Sequence, residues 1–405
     1  MHEPRRAATI FVFVTVLLDM MAFGMIIPVL PHLIQDFMGG DAAAAARVNG
    51  YFGTSWALMQ LIFMPILGSL SDRLGRRPVI LLSVTGLGLD FILMALAPSL
   101  SWLFVGRIIS GITAANMSTT SAYIADVTPP DKRAGAYGLM GAAFGIGFIL
   151  GPAVGGLLGN LGPRVPFWVA AGCCLANALY GLFVLPESLP ADRRTPFSLQ
   201  RANPVGALSF LRQQPGLLRL TGLKFAMDLS HTVMPATFVL ATSYRFGWTQ
   251  KDTGLVLGVI GLCSMIVQAG LIRPVVARLG ERRALPLGLA FGIAGSLIYG
   301  LADDPTTFLI GVPIAAFGGL AGPSLQALLT RKVSPAEQGR LQGALASVQG
   351  LAGLIGPTVG TQAFAWFIRS DATVHLPGVP FLIGAALLSV ALTGSLWATD
   401  TAATG

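Results

Sequence analysis

What constrains this chain most is a series of apolar runs, each near twenty residues long, separated by short polar stretches. A helix of roughly 20 apolar residues crosses the hydrocarbon core of a bilayer, and it satisfies its own backbone N–H and C=O groups where no water can. Twelve runs fit, at about 8–31, 50–70, 78–98, 101–124, 135–159, 165–185, 217–242, 252–276, 284–302, 306–329, 340–367 and 378–397. Composition agrees with this reading. Apolar residues make up 54% of the 405 and charged residues 11%, whereas soluble chains carry about 25% charge. The expected fold is therefore all-α, a polytopic membrane protein with twelve transmembrane helices in two six-helix halves. The first run is too long for a cleaved signal and carries Asp19 in its middle.

The net charge of +8 could suggest a nucleic-acid partner, but its distribution points elsewhere. Nineteen of the 26 Lys and Arg residues fall in the N-terminus and the even-numbered loops, and five fall on the opposite side. The positive-inside rule then makes both termini and the even loops cytoplasmic and leaves no nucleic-acid role. Cys173, Cys174 and Cys263 lie within apolar runs, and the four histidines are scattered, so neither a disulfide framework nor a metal cluster is expected. No phosphate-binding GxxxxGK[ST] loop occurs. No cofactor is expected either.

The connection at 186–216 is polar, contains five prolines and divides the runs six and six. The expected organisation is a six-helix bundle over 1–185, a cytoplasmic linker over 186–216 and a second bundle over 217–405. The halves look like copies. Gly106 matches Gly311, Arg73-Leu-Gly75 matches Arg278-Leu-Gly280, and Gly151-Pro152 matches Gly356-Pro357, all at one offset of 205 residues. Six spans per copy make this a parallel repeat about an axis along the membrane normal. Transporters with such halves bind substrate near the midplane.

Ionisable residues inside spans cost at least ~2.5–3.5 kcal/mol each and usually serve a protein-lined cavity. Asp19, Asp90, Arg107, Lys224, Asp228 and His231 are of this kind. Asp19, Asp90, Arg107, Asp228 and His231 are the proton-coupling candidates. For Asp19 the plainer alternative is a helix-packing hydrogen bond. Lys224, Asp228 and His231 are spaced i, i+4, i+7 and share one helix face, where a Lys–Asp pair that only neutralises two charges is the competing account. Gln60, Asn116, Gln268 and Gln326 are polar within spans and are the substrate-binding candidates, with interhelical hydrogen bonds as the alternative. Gly147, Gly151 and Pro152 in span 5, with Gly356 and Pro357 in span 11, read as a hinge-bearing interface, because small residues admit close backbones and a Gly-Pro step weakens a helix.

The loop Gly68-Ser-Leu-Ser-Asp72-Arg73-Leu-Gly75-Arg76-Arg77-Pro78 resembles the loop after helix 2 in the major facilitator superfamily. LFVGRIISGITAA, around Arg107, resembles its helix-4 motif, and GIGFILGPAVGG its helix-5 antiporter motif. LLDMMAFGMIIPVLP, YIADVT, YRFGW and ARLGERRALPLG look like the tetracycline–proton antiporters, and the likeness runs from about 9 to 395. The resemblance implies the major facilitator fold in a cytoplasmic (inner) membrane. It also implies a proton-coupled antiporter that exports drugs, with tetracycline-like amphipathic compounds among the candidates, working as a monomer on protons and a small molecule. It makes Asp72 a gating acid, with Arg73, Gly75, Arg76, Arg77 and Arg133 in the gate and Arg76 and Arg133 as its charge partners. It matches Asp19, Asp90, Arg107 and Gln268 to the family's intramembrane residues. Two positions depart from the family: Ser264 stands at its helix-8 histidine and Gly292 at its helix-9 aspartate. Other cargo, a nutrient symporter and a non-transporting receptor are the alternatives. An enzyme is not expected, because only His231 among the histidines lies within a span.

Overall fold

The protein is described here from a computed structural model covering residues 3–114, 117–129, 132–197, 211, 215–334 and 337–400. It is helical, with no strand among the described residues. The elements are α1 (Glu3–Ile26), α2 (Leu30–Phe37), α3 (Ala42–Leu74), α4 (Arg76–Leu96), α5 (Leu100–Thr113), α6 (Met117–Val127), α7 (Arg133–Gly159) and α8 (Val165–Val184). After the linker come α9 (Pro215–Phe246), α10 (Gln250–Ile266), α11 (Ile272–Leu279), α12 (Glu281–Leu301), α13 (Pro305–Ala316), α14 (Ala321–Thr330), α15 (Gln338–Phe367) and α16 (Val379–Asp400).

Ten helical segments are long and apolar enough to cross a membrane. α9 and α15, with 32 and 30 residues, are long enough to complete the twelve but are interrupted by polar groups. Several expected spans change shape. Span 1 is broken at Ile27–Val29, where Pro28 has no N–H to donate and Gly24 instead accepts from Ile27 at 3.1 Å. Span 2 runs 42–74 rather than 50–70, about 50 Å of helix. Span 4 divides into α5 and α6. Span 10 divides around a 3₁₀ turn at Phe317–Leu320, which contains Gly318 and Gly319. Span 8 carries a single π turn, Val267–Leu271, before α11.

Contacts divide the chain into two compact units. One contains the residues up to Phe37, Ser55 to the linker, and Thr249–Gly258. The other contains Met38–Thr54, the linker to Trp248, and Val259 onward. In the first, α1 packs on α7 and α8, and α4 packs on α5 and α8. The glycines of α7 set the first of these contacts: a Cβ on Gly151 would lie 2.7 Å from the Gly24 Cα, and one on Gly155 would lie 2.2 Å from the Met25 carbonyl. In the second, α9 packs on α15 and α16, and α12 packs on α13, α14 and α16. Gly356 and Gly360 bring α15 against Thr232 and Val233 of α9, so the repeated Gly-Pro helices play the same packing role.

Equivalent helix ends are closed by arginines from non-equivalent elements. Arg164 donates to the carbonyls of Ala95 and Ala97 at the end of α4. Arg245 donates to those of Tyr299, Gly300 and Ala302 at the end of α12. Phe238, Phe308, Phe381 and Tyr299 pack edge and face beside that second end, with the Tyr299 and Phe308 centroids 4.5 Å apart.

Candidate functional site

Three constellations of the expected residues take shape. The first is the loop between α3 and α4. Gly75 turns the chain at φ 106°, a left-handed value that a side chain would strain, and a Cβ there would meet Glu187 Oε2 at 2.1 Å. The turn aims Arg76 inward. Its guanidinium contacts Asp72 at 2.5 Å, the Ser71 hydroxyl at 2.6 Å and Asp126 Oδ2 at 3.2 Å. Glu187 Oε1 accepts from the backbone N–H of Arg76, Ser188 and Leu189, capping the start of α4 with a negative charge where the helix dipole favours one. Arg77 donates to the Leu182 carbonyl at 2.7 Å, and Arg73 is exposed. Arg133 is not a partner of Asp72. It donates to the carbonyls of Ala125 and Thr128, closing the end of α6, whose last acceptors would otherwise be unmet. Asp126 and Glu187 join the cluster as partners of Arg76. Asp126 lies in YIADVT and Glu187 follows Pro186 directly after span 6, but nothing local to either position reveals its partner.

The second half answers this loop with reversed signs. Gly280, at φ 72°, again precedes the first residue of a helix, which is now Glu281, and Glu281 pairs with Arg331 at 2.5 Å. The offset of 205 superposes Arg76 on Glu281 and Asp126 on Arg331. The same two positions form the same pair with acid and base exchanged.

The second constellation lies at membrane depth in the first unit. Asp19 on α1 and Asp90 on α4 are buried, and Cys174 of α8 lies within electrostatic reach of both. Neither carboxylate oxygen of Asp90 has a hydrogen-bond partner among the described residues. Arg107 is its neighbouring charge, yet makes no hydrogen bond to it. Instead the guanidinium lies over the Trp56 ring at 4.9 Å and 6.0 Å from the Phe23 ring. Gln60, one turn from Trp56 on α3, is half-buried, and Asn116 is outside the described residues.

The third lies in the second unit, on α9, on a face turned from the buried Ala226 and Val233. Lys224 Nζ contacts both oxygens of Asp228, at 2.9 and 2.8 Å. His231 is exposed although protein surrounds it, and Pro235 cannot donate to its backbone carbonyl. Three polar groups therefore stand one after another along a helix expected to cross the membrane. Gln268 is exposed on the π turn of span 8, and its side chain nears Gly319 in the 3₁₀ turn of span 10. Gln326 is engaged by Gln342 at 3.1 Å.

Gly292 stands where the resembled family has an acid, and the packing explains the exchange. Gly288, Gly292 and Gly295 form a small-residue stripe on α12 against spans 10 and 12. A Cβ on Gly292 would already approach the Leu388 Cδ1 to 3.1 Å, and the Gly318 Cα is close behind at 3.9 Å.

The sequence model of the Major Facilitator Superfamily matches residues 12–357. The chain belongs to that superfamily. Its members here include the tetracycline resistance protein, class C, of Escherichia coli, 38% identical over 95% of each chain. The class H protein of Pasteurella multocida is 33% identical over 95% of this chain and 94% of its own. Among solved structures, a bacterial homolog of the human lysosomal transporter Spinster matches with a TM-score of 0.79 at 18% identity, covering 99% of this chain and 98% of that one. This superfamily chain is a multi-pass membrane transporter, not an enzyme, and has the twelve-helix fold.

Proposed function

We propose that this transporter is a proton-driven antiporter that exports amphipathic drugs, tetracycline-class compounds among them. It works as a monomer in an inner membrane with both termini cytoplasmic. The six-helix bundles 1–185 and 217–405 move about the linker 186–216, with the Gly-Pro helices as hinges. The proposal rests above all on the Lys224–Asp228 pair, whose two contacts of 2.9 and 2.8 Å stand at membrane depth beside an accessible His231. Its relatives named for tetracycline resistance support the cargo class.

The cycle follows from charge. Ionised Asp228 holds Lys224. A proton arriving from outside neutralises Asp228, releases the ammonium and biases the two-state equilibrium, while cargo binding and inward loss of the proton bias it back. Coupling of this kind needs only differential stabilisation of the two states. Asp19 and Asp90 supply the matching groups in the first half, and the Asp72–Arg76–Asp126 and Glu281–Arg331 clusters latch the cytoplasmic side. A cargo other than tetracycline is favoured by one observation, that glycine and not an acid stands at 292, where a side chain would press on Leu388.

The test is energised efflux of tetracycline and a wider drug panel from cells lacking their own pumps, with and without a protonophore. Asp19→Asn and Asp228→Asn should each abolish protonophore-sensitive efflux while leaving cargo exchange in de-energised vesicles. Wild-type efflux from Asp228→Asn refutes the coupling assignment.

A further inference from the structure

Arg107, like Arg133, has neighbours that do not fit its expected part. An arginine beside a buried aspartate would ordinarily hold it with two parallel hydrogen bonds. Here both Asp90 oxygens and the Arg107 Nε are buried without any hydrogen-bond partner among the described residues. The guanidinium is spent on aromatic faces, at 4.9 Å from Trp56 and 6.0 Å from Phe23. Those two rings are themselves stacked, with centroids 5.1 Å apart and planes 21° from parallel. The Trp56 indole N–H is a second buried donor without a partner. Buried tryptophan N–H groups usually find one, so an orphan here marks a place where an acceptor arrives.

Glycines hold the arrangement in place. A Cβ on Gly111 would lie 2.9 Å from the Trp56 carbonyl, so α5 crosses the α3 backbone one turn after Arg107 and sets its height over the indole. Gly106 admits Asp90, whose Oδ1 would be 3.0 Å from a Cβ there. Phe23 sits one turn before the break in span 1 at Ile27–Val29. Interrupted membrane helices are where transporter cargo sites are built.

We infer that Phe23, Trp56 and Arg107 form a cargo subsite that selects a planar, delocalised oxyanion, such as an aromatic carboxylate or a conjugated enolate. The inference deepens the export reading and rests on it. A bidentate oxyanion lies in the plane of the guanidinium it binds. The guanidinium carbon lies 4.9 and 6.0 Å from the two ring centroids, so the conjugated body of a ligand it binds comes beside them, and a bent or neutral ligand loses one contact or the other. Gln60, one turn below Trp56 on the same face, is placed for a further polar contact. Lysine could not replace Arg107, because an ammonium has neither the flat face nor the paired donors.

The test is equilibrium binding of radiolabelled salicylate, with salicylamide as its uncharged analogue, to the purified full-length protein in lipid nanodiscs. In the wild type and in the exposed-tryptophan control Trp102→Phe, salicylate should bind about tenfold more tightly than salicylamide. Arg107→Lys and Trp56→Leu should each remove that preference, and Trp56→Phe, which keeps a ring and the fold, should retain part of it. Equal affinities in the wild type, or an undiminished preference in Arg107→Lys, overturn the subsite. Binding requires no turnover, so the export reading fails separately: a protein that prefers salicylate but shows no protonophore-sensitive efflux of any drug keeps the subsite and loses the pump.

Discussion

Removing Lys224 or Asp228 alone, and then both, separates a coupling pair from a neutralising one. The ammonium touches both carboxylate oxygens, and only 21% and 17% of the two side chains are exposed. Breaking a buried pair by deleting one partner costs about 3–5 kcal/mol, because the survivor is left as an unpaired charge. The remaining exposure of about a fifth puts Lys224→Met and Asp228→Leu at the lower end, about 3 kcal/mol each. The double variant Lys224→Met/Asp228→Leu leaves no charge behind, and apolar replacement of both partners is often neutral, so it should return to within about 1 kcal/mol of the wild type. The assay is thermal unfolding of the purified variants in one detergent, compared as midpoints, followed by energised efflux from cells. Both singles should melt early, and the double should melt like the wild type yet show no protonophore-sensitive efflux. A double variant that pumps normally would make the pair a packing device. One that melts as early as the singles would refute the electrostatic reasoning itself.

Three further outcomes follow from particular contacts. Glu187→Ala removes the acceptor for the Arg76 N–H at the start of α4 and for the N–H groups of Ser188 and Leu189 beside it, and should cost about 1–2 kcal/mol, with Glu187→Gln recovering most of it in the same thermal assay. Restoring the family's acid with Gly292→Asp should destabilise by about 2–3 kcal/mol through crowding against Leu388, and Leu388→Ala in the same chain should relieve most of that loss. At the start of α13, hydrogen bonds from Thr307 and Thr306 hold the Asp304 carboxyl below its ordinary range. Its contribution to stability is therefore fully present above the unfolded carboxyl value and is lost as pH falls through the depressed one. The melting difference between wild type and Asp304→Ala should be constant near neutrality and close below about pH 4. A gap that persists unchanged into acid would count against it.

Part of the site was legible because it is local. An ionisable residue in an apolar run is conspicuous whatever surrounds it, so Asp19, Asp90, Arg107 and the face of Lys224, Asp228 and His231 could be named from spacing alone. The partners were not legible. Asp126 and Glu187 are 50 and 111 residues from Arg76, and Arg133 looked an equally good partner for Asp72 until helix packing turned it onto the carbonyls of α6. The breaks in spans 1 and 10 and the π turn of span 8 also escaped, because hydropathy averages over twenty residues and a one-turn change of hydrogen bonding leaves that average untouched.

The sequence by itself determined twelve helical spans and the duplication at 205 residues, and it set the expected sidedness. Those properties follow from the cost of unmet backbone groups in hydrocarbon and the bias of basic loops, and neither needs a partner. Tertiary structure decided which charges meet. It brought Asp126 to Arg76, paired Glu281 with Arg331, laid Arg107 on Trp56 rather than Asp90, and set Leu388 against Gly292. Each of these depends on distances of 3–5 Å between helices far apart in sequence, over which Coulomb energy and steric contact change steeply.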